Sequence, residues 1–182
     1  MSKPAVLPTL LALYPFVVFL SLSKFGLAAA AAFLVALSLA RLALFRRGPV
    51  LDGLLLGVGG LMLGITSFVQ SSASGVLLYP VFVNLTLLLV FASSIWKPPT
   101  VVERLARIRT PDLSDEGVRY TRGVTAVWCG FFGINGMVSF YTVFYASLET
   151  WVLYNGLVSY LLMGLLFLCE WGVRRKMLQR SA

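Results

Sequence analysis

Residues 75–88 read GVLLYPVFVNLTLL. The run is too apolar for the surface of a soluble protein, and the apolar sequence continues well past both ends. It nevertheless holds Tyr79, Pro80 and Asn84, which a helix facing only lipid would avoid. An upstream stretch echoes it. Residues 12–22, ALYPFVVFLSL, align with residues 77–87, LLYPVFVNLTL, and pair Leu13 with Leu78, Tyr14 with Tyr79, Pro15 with Pro80, Val18 with Val83, Leu20 with Leu85 and Ser21 with Thr86.

Composition sets the solvent. The 182 residues are 59% hydrophobic and 12% charged, against about 45–50% and 25% in soluble domains, and the mean hydropathy is +0.89. These values predict an all-α polytopic membrane bundle forming a single domain over residues 1–182. Crossing a bilayer takes about 20 apolar residues. Six stretches meet that length, near 5–22, 25–45, 50–70, 74–96, 123–147 and 150–171. The first also has the basic start of a signal peptide in Lys3, but no small-x-small site follows Ser23, so it reads as a retained span.

Charge then orients the chain. With six spans, 14 of the 15 basic residues fall on one side and only Lys24 on the other. The positive-inside rule places that side, with both termini, in the cytoplasm. The net charge of +8 is thus a topology signal. It is spread over several short segments and points away from nucleic acid.

Residues 97–122, KPPTVVERLARIRTPDLSDEGVRYTR, are the one sizeable loop. Val101, Val102, Leu105 and Ile108 share one face of a helical wheel, with Glu103, Arg104 and Arg107 opposite and Arg109 at the edge. This predicts either a short amphipathic helix on the inner leaflet, its arginines on anionic lipid headgroups, or a solvated linker. Trp96, Trp151 and Trp171 fall at span ends, where aromatic belts form. In the third span Gly53, Gly57, Gly60 and Gly64 recur at four, three and four residues, a stripe that allows close helix approach within the bundle or between protomers of a homo-oligomer.

Polar residues recur inside the spans. Pro80 leaves the carbonyl of Val76 without its helical donor, and Asn84 follows one turn later. Asn135, Ser139 and Thr142 form a stripe on the fifth span, and Asn155 and Ser159 share a face of the sixth. With Tyr14 and Tyr79 they predict a polar face in the outer half of the bundle. Two readings stay open: interhelical hydrogen bonds that hold the bundle together, or a cavity for a polar headgroup or small solute. The YP echo, in spans of opposite direction, is what a three-plus-three inverted repeat would leave.

Other chemistries are disfavoured. The chain has no histidine, which removes histidine-ligated metal centres and Ser-His catalysis. Cys129 and Cys169 lack metal or redox spacing. No acid lies at mid-membrane, and Asp112, Asp115 and Glu116 read as a solvated turn. The expectation is a protein that is not an enzyme and needs no cofactor or metal.

The stretch VTAVWCGFFGINGMVSFYTVFYASLETWV resembles the bacterial intracellular septation protein A (YciB-like) family, through Val124-Thr125, Trp128, Phe131-Phe132, Gly136, Val138, Tyr141, Phe144 and Leu148-Glu149-Thr150-Trp151-Val152. The opening LYPFVVFLSLSKFG is similar too. The middle of the chain looks closer to small membrane proteins encoded beside aryl-polyene and fatty-acid-synthase-like genes. The resemblance implies an inner-membrane protein of cell-envelope biogenesis or septation that works through lipids and other envelope membrane proteins. It carries over no catalytic residue. The outer turn Glu149-Thr150-Trp151 is the matching segment to test, with Thr150 as helix N-cap and Trp151 as interfacial anchor. The alternative is a small transporter or lipid-handling protein that uses the polar face.

Overall fold

A computed structural model describes residues 6–44, 59–67, 70, 73–108 and 110–180. The order is α1 (Val6–Leu20), a π-helical turn (Ser21–Phe25), α2 (Leu27–Leu44), a helical segment α3 at residues 59–67, α4 (Ser74–Leu77), α5 (Tyr79–Trp96), α6 (Val101–Arg107), α7 (Asp115–Tyr145), α8 (Leu148–Leu153), a second π-helical turn (Tyr154–Val158) and α9 (Ser159–Arg180). No strand occurs among the described residues.

Local chemistry sets the boundaries. Gly26, at φ 81°, turns the chain from the first π-turn into α2, a conformation that costs glycine little. Pro80 accounts for the break at Leu78 between α4 and α5. Lys97-Pro98-Pro99 ends α5. Thr100 opens α6 with a capping box: its hydroxyl accepts from the Glu103 N–H, and Glu103 Oε2 accepts from the Thr100 N–H. Ser114 caps α7, and Asp115 and Glu116 fill the first turn, where the helix dipole favours acids. The expected loop of 97–122 is therefore largely helical, and α7 starts well before the expected span at 123.

Three continuous helical stretches are long and apolar enough to cross a membrane: Ser74–Trp96, Asp115–Tyr145 and Leu148–Arg175, of 23, 31 and 28 residues. Leu13–Phe25 and Leu27–Ala40 are shorter apolar helices.

Burial runs opposite to the soluble pattern. Among the described residues 15 buried side chains are polar or charged and 11 are hydrophobic, while Leu89, Ile134, Met137, Phe144, Leu165 and Leu168 are exposed. α7 shows this most clearly. Its buried positions are Thr121, Thr125, Trp128, Phe132, Asn135, Ser139 and Thr142, a single stripe spaced by four and three residues. In water such an apolar exterior would be a liability; in hydrocarbon it is the solvated face.

The core joins Tyr14 and Val18 of α1, Ala30, Ala31, Leu34 and Leu37 of α2, Val76, Tyr79 and Trp151. A second cluster, toward the other end, packs Trp128 on Phe132 and on Phe167 of α9, with ring centroids 5.6 and 4.6 Å apart, and Phe91 on Phe132 at 5.1 Å. α5 and α7 form the most extensive helix pair. Gly60 and Gly64 pack against α2: a Cβ on Gly60 would lie 2.4 Å from Ser38 Oγ, and one on Gly64 2.7 Å from a Val35 methyl. This half of the glycine stripe serves contacts within the chain. Gly53 and Gly57 lie outside the described residues, as does Arg109.

Candidate functional site

The helix break at Leu78 organises the site. Pro80 deprives the Val76 carbonyl of its donor, and the Tyr14 hydroxyl from α1 donates to that carbonyl instead. Trp151 Nε1 from α8 donates to the next carbonyl, Leu77 O, at 3.1 Å. Two distant segments thus supply N–H and O–H groups at the break, which a buried backbone carbonyl requires. The echoed tyrosines meet here: the rings of Tyr14 and Tyr79 are 4.6 Å apart.

Trp151 is 1% exposed, so it is a core residue rather than a lipid-facing belt residue. Burying the indole also satisfies its N–H, which a lipid-facing position would leave to the interface. The N-cap of this helix is Ser147, whose Oγ accepts from the Thr150 N–H at 3.3 Å. Thr150 is one turn inside the helix, and Glu149 and Thr150 are exposed.

One turn deeper, α5, α7 and the second π-turn are joined by amides. Asn84 Nδ2 donates to Pro80 O at 2.9 Å, and Asn135 Nδ2 donates to Asn84 Oδ1 at 3.0 Å. The Tyr154 hydroxyl donates to Asn135 Oδ1 at 2.9 Å. Asn155 Nδ2 donates to Thr142 Oγ1 at 3.2 Å and to Trp151 O at 2.9 Å, and Ser159 Oγ donates to Asn155 O at 3.2 Å. The hydroxyls of Ser38, Thr86, Thr125 and Thr142 instead donate back into their own helices, so the amides and aromatic donors carry the cross-helix bonding.

Beside this network lies a cavity of about 110 Å³ lined by Tyr14, Pro15, Tyr79, Pro80, Val83, Asn84, Leu87, Phe132, Asn135, Asn155, Ser159, Tyr160 and Met163. Tyr14, Tyr79, Asn84, Asn135, Asn155 and Ser159, from four separate sequence regions, therefore meet around one space. Ser139 is fully buried one turn from Asn135 but does not line the cavity, and its Oγ has no hydrogen-bond partner among the described residues. Tyr154 of the network and Tyr160 of the lining are the polar residues that sequence reasoning missed. On a regular helix Tyr154 and Asn155 would point about 100° apart; within the π-turn each reaches α7, and no sequence signal marks that turn.

The charged residues sit elsewhere. Arg107 Nε and Nη2 both donate to Glu103 Oε1, at 2.9 and 2.8 Å, and Nη1 donates to Pro111 O at 3.0 Å. Arg104 Nε donates to Pro99 O at 2.9 Å. Both arginines thus brace their own loop. Glu103 is buried while Leu105 and Ile108 are exposed, so α6 turns its acid inward and its apolar face outward.

No family model, no curated protein and no solved structure matches this chain.

Proposed function

We propose that the chain is a six-span protein of the bacterial inner membrane, with both termini in the cytoplasm, that holds a small polar group in the cavity between α1, α5, α7 and the start of α9. On this reading it is a small transporter or lipid-handling protein without catalytic activity, serving the cell envelope. The carrying observation is the convergence of six intramembrane polar residues on one space lined by no charged side chain. Polar groups that served only to hold helices together would be expected to close against one another. The meeting of Tyr14 with Tyr79 supports the inverted repeat, since equivalent residues touch where a two-fold axis passes between them.

The test is solvent access. In a Cys129→Ala/Cys169→Ala background, Met163→Cys on the cavity wall should react with a small charged thiosulfonate in membranes, and Leu168→Cys on the outer face of α9 should not. An inert Met163→Cys would overturn the reading.

A second role follows from the outer turn. Trp151 is anchored in the core while Glu149 and Thr150 point outward, so the turn presents a fixed polar surface suited to a partner envelope protein. Loss of co-purifying membrane proteins in Glu149→Ala/Thr150→Ala would support that role.

A further inference from the structure

The bonding already made around the cavity restricts what else can bind there; the inference rests on the cavity reading above. A carboxamide offers two N–H donors and one carbonyl acceptor. Asn155 Nδ2 uses both hydrogens, on Thr142 Oγ1 and Trp151 O, so its carbonyl Oδ1 is the part left for a ligand. Asn84 and Asn135 each use one Nδ2 hydrogen, on Pro80 O and on Asn84 Oδ1, and each keeps the other. The lining therefore offers both uncommitted donors and an uncommitted acceptor. A hydroxyl, which accepts and donates at once, answers both.

A phosphate or carboxylate does not suit it. A carboxylate has no donor for the Asn155 carbonyl, and for either anion no Lys or Arg lines the space to offset burial of the charge. An ammonium group would find no carboxylate there and would face the amide donors. Val83, Leu87, Phe132 and Met163 supply an apolar flank for a carbon skeleton. A cavity of about 150 Å³ accepts benzene, so 110 Å³ suits a group of about four to six heavy atoms.

We propose that the cavity binds an uncharged, hydroxyl-bearing group of the size of a glycerol unit, supplied either as free glycerol or as the head of a diacylglycerol. The full-length Cys129→Ala/Cys169→Ala/Met163→Cys protein is placed in phosphatidylcholine nanodiscs, and its rate of thiosulfonate labelling is measured with glycerol, dioctanoylglycerol or dioctanoyl phosphatidic acid. One of the two uncharged ligands should slow labelling about tenfold, a difference of about 1.4 kcal/mol in occupancy, while the phosphatidic acid slows it less than about twofold. Protection by glycerol alone identifies a free solute; protection only by dioctanoylglycerol identifies a lipid. Asn155→Ala should still label and should lose the protection, read as the ratio of its own rates with and without ligand.

Labelling that neither uncharged ligand slows, or that phosphatidic acid slows equally, overturns the ligand class and leaves the cavity standing. Absence of labelling overturns the cavity and this inference together. If Met163→Cys does not accumulate, Leu87→Cys on the facing wall gives the same readout.

Discussion

The two ends of α7 hold their neighbours by different means. Near its N-terminus the ion pairs Glu103–Arg107, at 2.8 Å, and Glu170–Arg174, at 2.7 Å, each join residues four apart on one helix. Their arginines are 38% and 45% exposed. Between α7 and α9 the Tyr120 hydroxyl, 3.3 Å from Glu170 O, makes a cross-helix contact. In the other half every cross-helix bond among the described residues is between neutral groups, and these join residues far apart in sequence: Tyr14 to Val76, Trp151 to Leu77, Asn135 to Asn84. A membrane around the neutral half would account for the difference. Where water reaches, charge is inexpensive and a salt bridge adds little. Away from water an ion carries a desolvation cost of several kcal/mol, so neutral donors and acceptors do the joining.

This comparison orders the expected effects, read as unfolding free energies of the full chain in detergent. Trp151→Ala should cost most, about 3–5 kcal/mol, as for other buried aromatics truncated to alanine, because it empties the core and leaves Leu77 O without its donor. A cost below about 1 kcal/mol would mean that the helix break is held by something else. Tyr14→Phe keeps the ring and removes only the donor to Val76 O; the expected loss is about 1–3 kcal/mol. A double-mutant cycle of Asn84→Ala and Asn135→Ala should return a coupling of about 0.6 kcal/mol, the average for membrane hydrogen bonds. A coupling near zero would mean that the two amides do not bond each other. Arg174→Met should cost only a few tenths of a kcal/mol and should do so only at low salt. If Arg174→Met proved costlier than Tyr14→Phe, the ranking of the two halves would be reversed.

Much of this was legible from residue types. Pro80 announces a carbonyl in need of a donor, and the repeated Tyr-Pro pair marks the two helices that meet there. Asn84, Asn135, Asn155 and Ser159 stand out because hydrocarbon makes a polar side chain find a partner. The spacing of Asn135, Ser139 and Thr142 gave the inward face of α7, although its continuation through Thr121, Thr125, Trp128 and Phe132 was not read. Other features depend on packing that periodicity does not encode. Trp151 has the sequence position of an interfacial anchor, and only the gap above Leu77 draws it inside. The wheel of α6 gives two faces but not which one docks; the buried capping box and the Glu103–Arg107 pair turn the acid inward. Tyr154 joins the network through a change of helical pitch.

That change of pitch has a consequence for the residues it contains. The wide turn at Tyr154–Val158 accommodates one residue more than an α-helix would over the same rise. Deleting Leu157, which is exposed, would let the turn tighten to α-helical pitch while the helices on either side kept their phase. Ser159, Met163 and Phe167 would keep their neighbours, and Tyr154 and Asn155 could no longer both face α7. The extra residue in this turn thus lets two consecutive side chains serve one face, and length variation here would alter the site without touching any side chain that forms it.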